Sequence, residues 1–175
     1  MDTRAVGEEL ERARADFHRL VDGATVAELR RRSDGTRWTN EQLLFHMLFG
    51  FLVVRALLPL VRGFGRLPDR WSRRFAAVLN AATPPFHVVN YLGSVVGARL
   101  LGPTRMERAA DRAIGGLRSS LARRSQRQLA RGMHFPVRWD PYFTDCMTVG
   151  DVYHYATQHY EHHRRQLTLA AAGPD

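Results

Sequence analysis

The chain has 175 residues, 45% of them hydrophobic and 25% charged, which is the composition of an ordinary globular protein and excludes a disordered or collagen-like one. That length suits one domain with a substantial core, so a single domain over residues 1–175 is expected. The formal net charge of +9 invites a nucleic-acid reading, but all 26 basic residues are arginine and isoleucine occurs once, at Ile114, a bias that suits a GC-rich bacterial genome. The arginines form only short clusters, such as Arg30 to Arg32 and Arg123 to Arg124, with no aromatic residues between them to stack on bases. No nucleic-acid partner is expected.

The single cysteine, Cys146, excludes an internal disulfide, and the N-terminal stretch MDTRAVGEELERARADF is charged from the start with no apolar signal region. A reducing, cytoplasmic compartment is the expectation. Leu43 to Val61 approaches the roughly 20 apolar residues of a membrane span. It carries His46 and Arg55 inside it and Pro59 near its end, interruptions that are expensive in hydrocarbon. We therefore expect a buried bundle helix there, without membrane insertion.

The first helix is predicted from Thr3 to Val21, where Val6, Leu10, Ala13, Phe17 and Leu20 recur at helical spacing and Asp22-Gly23 stops the run. A short helix over Thr25 to Arg31 leads through Ser33-Asp34-Gly35 to Trp38, which wedges the start of an apolar helix from Thr39 to Arg62. Gly63, Gly65 and Pro68 then break the chain. Residues 64–103 are too long and too apolar for a plain loop. They are predicted to hold a helix from Asp69 to Ala82, ended by Thr83-Pro84-Pro85, and an apolar piece from Phe86 to Leu101. An arginine-rich amphipathic helix from Thr104 to Arg131 and a last helix from Thr148 to Ala171 follow, joined by an aromatic-rich loop from Met133 to Met147. Thr25/Glu28, Thr39/Gln42, Thr104/Glu107 and Thr148/Asp151 each have the spacing of a capping box, in which two orphan backbone donors are satisfied reciprocally. The fold class is all-α.

On the last helix, His159 and His163 project onto the apolar stripe set by Val152, Ala156 and Leu167, whereas His162 falls about 80° off it and His154 points away. Two imidazoles at i and i+4 stand one above the other and can reach a single ion. His46 lies in the first two turns of the most apolar helix, flanked by Leu43, Leu44, Gly50 and Val53, where a polar ring needs a partner. From spacing alone two readings stand: a three-histidine metal site, or a core histidine with a separate polar helix face.

Trp38-Thr39-Asn40-Glu41-Gln42-Leu43-Leu44-Phe45-His46 resembles the Trp-to-His signature that opens the second helix of the DinB/YfiT-like metal proteins. His159-Tyr160-Glu161-His162-His163-Arg164-Arg165-Gln166-Leu167 resembles their closing His-x-x-x-His-Arg-x-Gln-Leu signature, and the resemblance covers nearly the whole chain. It implies a four-helix bundle of the up-down-down-up type, with residues 64–103 as a helical insertion between the second and third bundle helices. It further implies a divalent ion (nickel, zinc or iron) held by His46, His159 and His163, with His162 as a competitor should the helix rotate. Similar proteins include thiol S-transferases that use low-molecular-weight thiols, among which mycothiol would suit a GC-rich source, and maleylpyruvate isomerases. The function implied is a metal-dependent enzyme that activates a thiol or water against a small electrophilic molecule. The alternative is a non-catalytic metal-binding or structural bundle that forms a homodimer through Phe86 to Leu101.

Three minor features complete the reading. Cys146 is either a thiolate favoured by the helix that follows it or a small buried hydrophobe. Asp140, Tyr142 and Tyr153 are either acid/base neighbours of the metal helix or loop packing.

Overall fold

In the computed structural model, which describes residues 1–172, the chain forms seven helices and one short antiparallel strand pair among the described residues. The last three positions of the expected domain lie outside them. Helix α1 (Thr3–Asp22) starts where the Asp2 carboxylate caps the backbone N–H groups of Arg4 and Ala5, and buries the predicted Val6, Leu10, Ala13, Phe17 and Leu20. Helices α2 (Val26–Arg30) and α3 (Asn40–Phe64) begin at complete capping boxes on Thr25 and Thr39. Helix α4 (Asp69–Ala81) follows Pro68, and α5 (Thr83–Ala122) carries a kink at Gly102. A one-turn α6 (Gln126–Leu129), the strands β1 (Gly132–His134) and β2 (Cys146–Thr148), and α7 (Val149–Arg164) complete the order, before a final turn over Ala170–Ala172.

Helices α1 and α3 both pack on α5 and α7, so each pair sits diagonally in the bundle. Side-chain pairings give the directions. Glu9 meets His154 and Asp16 meets Arg164, so α1 and α7 run parallel. Arg14 meets Asp111 and His18 meets Glu107, so α1 and α5 are antiparallel. Arg55 reaches the Arg112 carbonyl and His46 meets Ser94, so α3 and α5 are parallel. The result is the up-down-down-up bundle. Parallel neighbours need a long crossover, and the 13 residues of α4 supply about 20 Å of return path at 1.5 Å per residue.

Several boundaries differ from the sequence reading. Thr83-Pro84-Pro85 starts α5 instead of ending a helix, because proline in the first helical turn lacks only a donor that would be unpaired there. The Thr104/Glu107 capping box does not form: the second helical stretch of α5 starts one residue earlier, at Pro103 after the non-helical Gly102, and Glu107 instead faces His18 at 3.1 Å. The interruption falls at Gly102, whose φ of 64° lies in the left-handed region open to glycine. Helix α5 ends at Ala122, not Arg131, and Ser125 opens α6 with a capping box to Gln128. Helix α7 ends at Arg164, not Ala171, because the chain beyond it bonds elsewhere: Thr168 N–H to Asn40 Oδ1 at 3.0 Å and Ala170 N–H to Glu28 Oε1 at 2.9 Å. The loop from Met133 to Met147 is framed by strands that pair Met133 with Met147, three residues each and too short to show an alternating pattern.

By length and composition α3 would be able to cross a membrane, but 56% of its most apolar stretch is buried inside the protein. Leu43, Leu44, Met47, Leu48, Phe51 and Val54 are all fully enclosed by the neighbouring helices. Each such side chain contributes about 1.5–3 kcal/mol of hydrophobic stabilisation. The segment is the core helix of this bundle.

Candidate metal centre

Antiparallel packing of α3 on α7 brings the first turns of one beside the last turns of the other, which is what sets His46 against His159 and His163. His46 and His159 are each 5% exposed, and each of the three rings offers a nitrogen within 4.8 Å of the others. Nε2 of His46 lies 3.2 Å from Nε2 of His163. Two ligands of a tetrahedral ion at about 2.05 Å would stand about 3.4 Å apart.

The far nitrogens decide where the protons are. Ser94 Oγ gives its one proton to the Asn90 carbonyl at 2.9 Å, which leaves it to accept from Nδ1 of His46 at 3.3 Å. Gln166 Oε1 accepts from Nδ1 of His163 at 2.7 Å. Both rings therefore hold their proton on Nδ1, and the two facing Nε2 atoms present lone pairs to each other. Burial, and then the neighbouring His163, push the His46 pKa down to about 3, so protonation of that ring does not bridge the pair near neutral pH. Burial likewise depresses His159 well below the ordinary range, and also lowers His163. Neutral imidazoles with converging lone pairs are the donor set of a divalent transition ion. His159 adds a buried Nδ1 without a partner, and its Nε2 lies 4.0 Å from Asp140 Oδ2.

Trp38 does more than wedge the start of α3: its ring stacks on His46 with centroids 4.4 Å apart and meets His163 edge-on. His162 is outside the cluster, its Nδ1 sharing a 3.3 Å hydrogen bond with the Tyr142 hydroxyl, and His154 bonds Glu9 at 2.9 Å on another face.

A cavity of about 230 Å³ opens beside the histidines. Phe49, Val53 and Leu57 of α3 form one wall, and the 64–103 insertion contributes Phe75, Leu79, Phe86 and Asn90. The aromatic loop closes another side, where Trp139 stacks on Phe86 at 3.9 Å and donates from Nε1 to the Leu79 carbonyl at 2.8 Å. Asp140 lines the cavity and accepts from the Tyr155 hydroxyl at 2.8 Å and from the Tyr142 N–H at 2.9 Å. Burial, reinforced by Asp140, holds the Tyr155 hydroxyl in its protonated form.

A family model described as the DinB superfamily matches residues 9–167. The chain belongs to the DinB superfamily. No curated protein and no solved structure matches it. The superfamily match spans the histidine cluster, Trp38, Gln166 and residues 64–103.

Of the residues expected near this DinB site, His46, His159, His163, Asp140 and Tyr142 come together around the cavity, and Tyr153 does not: its hydroxyl bonds Ser120 at 2.8 Å. Neither reading of Cys146 holds, since the residue is exposed and its thiol is pushed up by partial burial and then by the Asp145, Asp69 and Asp151 carboxylates. Sequence reasoning missed Ser94 and Tyr155, and placed no role on Gln166. Gln166 had a signal, three residues beyond His163 within the closing signature. Ser94 had none.

Proposed function

We propose that His46, His159 and His163 hold one divalent transition ion (nickel, zinc or iron), and that this DinB protein is an enzyme activating a thiol or water against a small electrophile. The observation that carries the reading is the pair of Nε2 atoms facing each other at 3.2 Å, with Ser94 and Gln166 hydrogen-bonded to the Nδ1 atoms behind them. An ion held by three neutral ligands keeps an open position, and lowers the pKa of a thiol or water bound there.

The chain's own residues supply the rest. Trp38 covers one side of His46, and the apolar walls exclude water from the cavity. Asp140 is the carboxylate placed to take the proton that the attacking thiol or water loses as its new bond forms and the leaving group departs. Tyr155, bonded to Asp140, holds that carboxylate in place. Cys146 does not line the cavity, so in the transferase reading the thiol is a bound small molecule, mycothiol or a similar low-molecular-weight thiol. Cytoplasm is the compartment that suits such a thiol, and fractionation of a lysate tests it.

Metal analysis of protein purified without chelators tests the centre: about one ion per chain is expected, lost in His46→Ala, His159→Ala and His163→Ala but kept in His162→Ala. Thiol transfer to model electrophiles, with ester and amide hydrolysis in parallel, tests the chemistry. Loaded protein without any rate above the triple-histidine variant would overturn it.

A second reading is a homodimeric bundle without catalysis. Val88, Val89, Leu92, Val96 and Leu100 of α5 are each more than half exposed, and they share a stripe about 120° wide. Sedimentation equilibrium of wild type and Leu92→Glu tests that interface.

A further inference from the structure

The chain carries 26 arginines and none of them lines the cavity, where the carboxylate of Asp140 is the one formal charge among the lining residues. Away from the histidines the wall is made by side chains such as Phe49, Leu57, Phe75, Leu79, Phe86 and Trp139. A ligand carboxylate or phosphate enclosed against that wall, away from an ion at the histidines, would lose its water, find no cationic side chain, and be repelled by Asp140. An aryl or alkyl body would be enclosed by apolar surface instead.

Size is also constrained. A dry apolar cavity of about 150 Å³ takes benzene, so one of 230 Å³ takes a molecule of roughly nine or ten non-hydrogen atoms in proportion. Much of the selecting wall belongs to the insertion: Phe75 and Leu79 lie on α4, and Phe86 on the first turn of α5.

We propose that this cavity selects an uncharged aryl or short alkyl molecule, with one neutral polar group directed to the histidine end, and rejects molecules that carry a carboxylate or phosphate. The proposal rests on the cavity being the substrate site of the reading above and narrows it to neutral electrophiles.

Phenylacetamide and phenylacetate have nearly the same shape and differ in charge, so they separate the two cases. Their binding to the full chain is measured by calorimetry and by fluorescence of Trp38 and Trp139, in chelator-stripped and in zinc-loaded protein. In the stripped protein phenylacetamide should bind and phenylacetate should bind at least ten-fold more weakly. Leu79→Arg, at a half-buried position of the wall, should narrow or reverse that ratio. Equal or tighter binding of phenylacetate to stripped wild type would overturn the proposal, as would failure of phenylacetamide, indole and 3-phenylpropanamide all to bind. Because the stripped protein holds no ion, these outcomes are independent of the metal centre. Neutral ligands that bind a chain unable to take up zinc would sink the metal reading and leave the cavity assignment standing.

Discussion

Gly50 on α3 and His159 on α7 approach so closely that a Cβ at position 50 would lie 2.5 Å from Nδ1 of the ring. The ring is 5% exposed, and the absence of a side chain on α3 is what lets His159 approach that helix so closely. Gly50→Ala should displace the imidazole, destabilise the fold by about 1–3 kcal/mol as overpacking does, and lower metal content well below that of wild type. Thermal melts with elemental analysis check it. A variant with unchanged melting temperature and full metal would show that His159 is not held by this contact.

Ser94 and Gln166 fix the proton positions on His46 and His163. Ser94→Ala and Gln166→Leu should each weaken metal binding by about 10–100-fold, the usual effect of removing a hydrogen bond behind a ligand. Competition with a chromophoric chelator gives the affinity. Helical circular dichroism should stay near wild type, which separates lost orientation from lost fold.

Asp140→Asn keeps the shape of the cavity wall and can still accept from the Tyr155 hydroxyl, giving up the bond from the Tyr142 N–H, but removes the proton acceptor. Metal content should be unchanged while turnover falls by about 10²–10⁴-fold, the typical contribution of a positioned general base. Retained turnover would move the base elsewhere.

Helix α5 presses its Gly97 onto the ring of Phe45 on α3, leaving no space for a Cβ. Gly97→Ala should cost about 1–3 kcal/mol. Phe45→Leu in the same chain should recover part of that loss, and a double-mutant cycle measures the coupling.

The His18 ring bridges α1 to α5, with Nε2 2.8 Å from Asp111 and Nδ1 3.1 Å from Glu107. The hydrogen bond to Asp111, against a smaller burial effect and with help from Glu107, raises its pKa above 6.5. A raised folded-state pKa stabilises the fold fully below the unfolded value and loses that stabilisation as pH rises through the folded value. The stability difference between wild type and His18→Gln should therefore be larger near about pH 5.5 than near about pH 8.5. Chemical denaturation at the two pH values measures it, and a difference that grows with pH would contradict the assignment.

Much of this protein was legible along the chain. The buried face of α1, the capping boxes at Thr25, Thr39 and Thr148, and the i, i+4 pair His159 and His163 are encoded by residues a turn or less apart, where periodicity and caps act locally. Boundaries were misread where competing local signals met. Thr83-Pro84-Pro85 has the composition of a stop and the geometry of a start, and Thr104/Glu107 has the spacing of a cap but lies within a helix that Gly102 had already interrupted. The end of α7 was misread because Asn40, more than a hundred residues earlier, takes the hydrogen bonds of Thr168.

The sequence by itself determined most of the helices, their apolar faces and the i, i+4 pair His159 and His163, since each depends on contiguous residues, whereas His46 joined that pair as the third ligand only through the resemblance to the DinB/YfiT-like proteins. Only the tertiary structure decided which nitrogens face one another, that Ser94 stands behind His46, and that Asp140 and Tyr155 meet beside His159. These follow from the parallel alignment of α3 with α5 and the return path of α4, which place residues distant in sequence within hydrogen-bond reach. It also decided the character of the cavity. The arginines are spread along the whole chain, and the packing of the insertion against α3 and the aromatic loop leaves all of them off its wall, because apolar rings fill that surface.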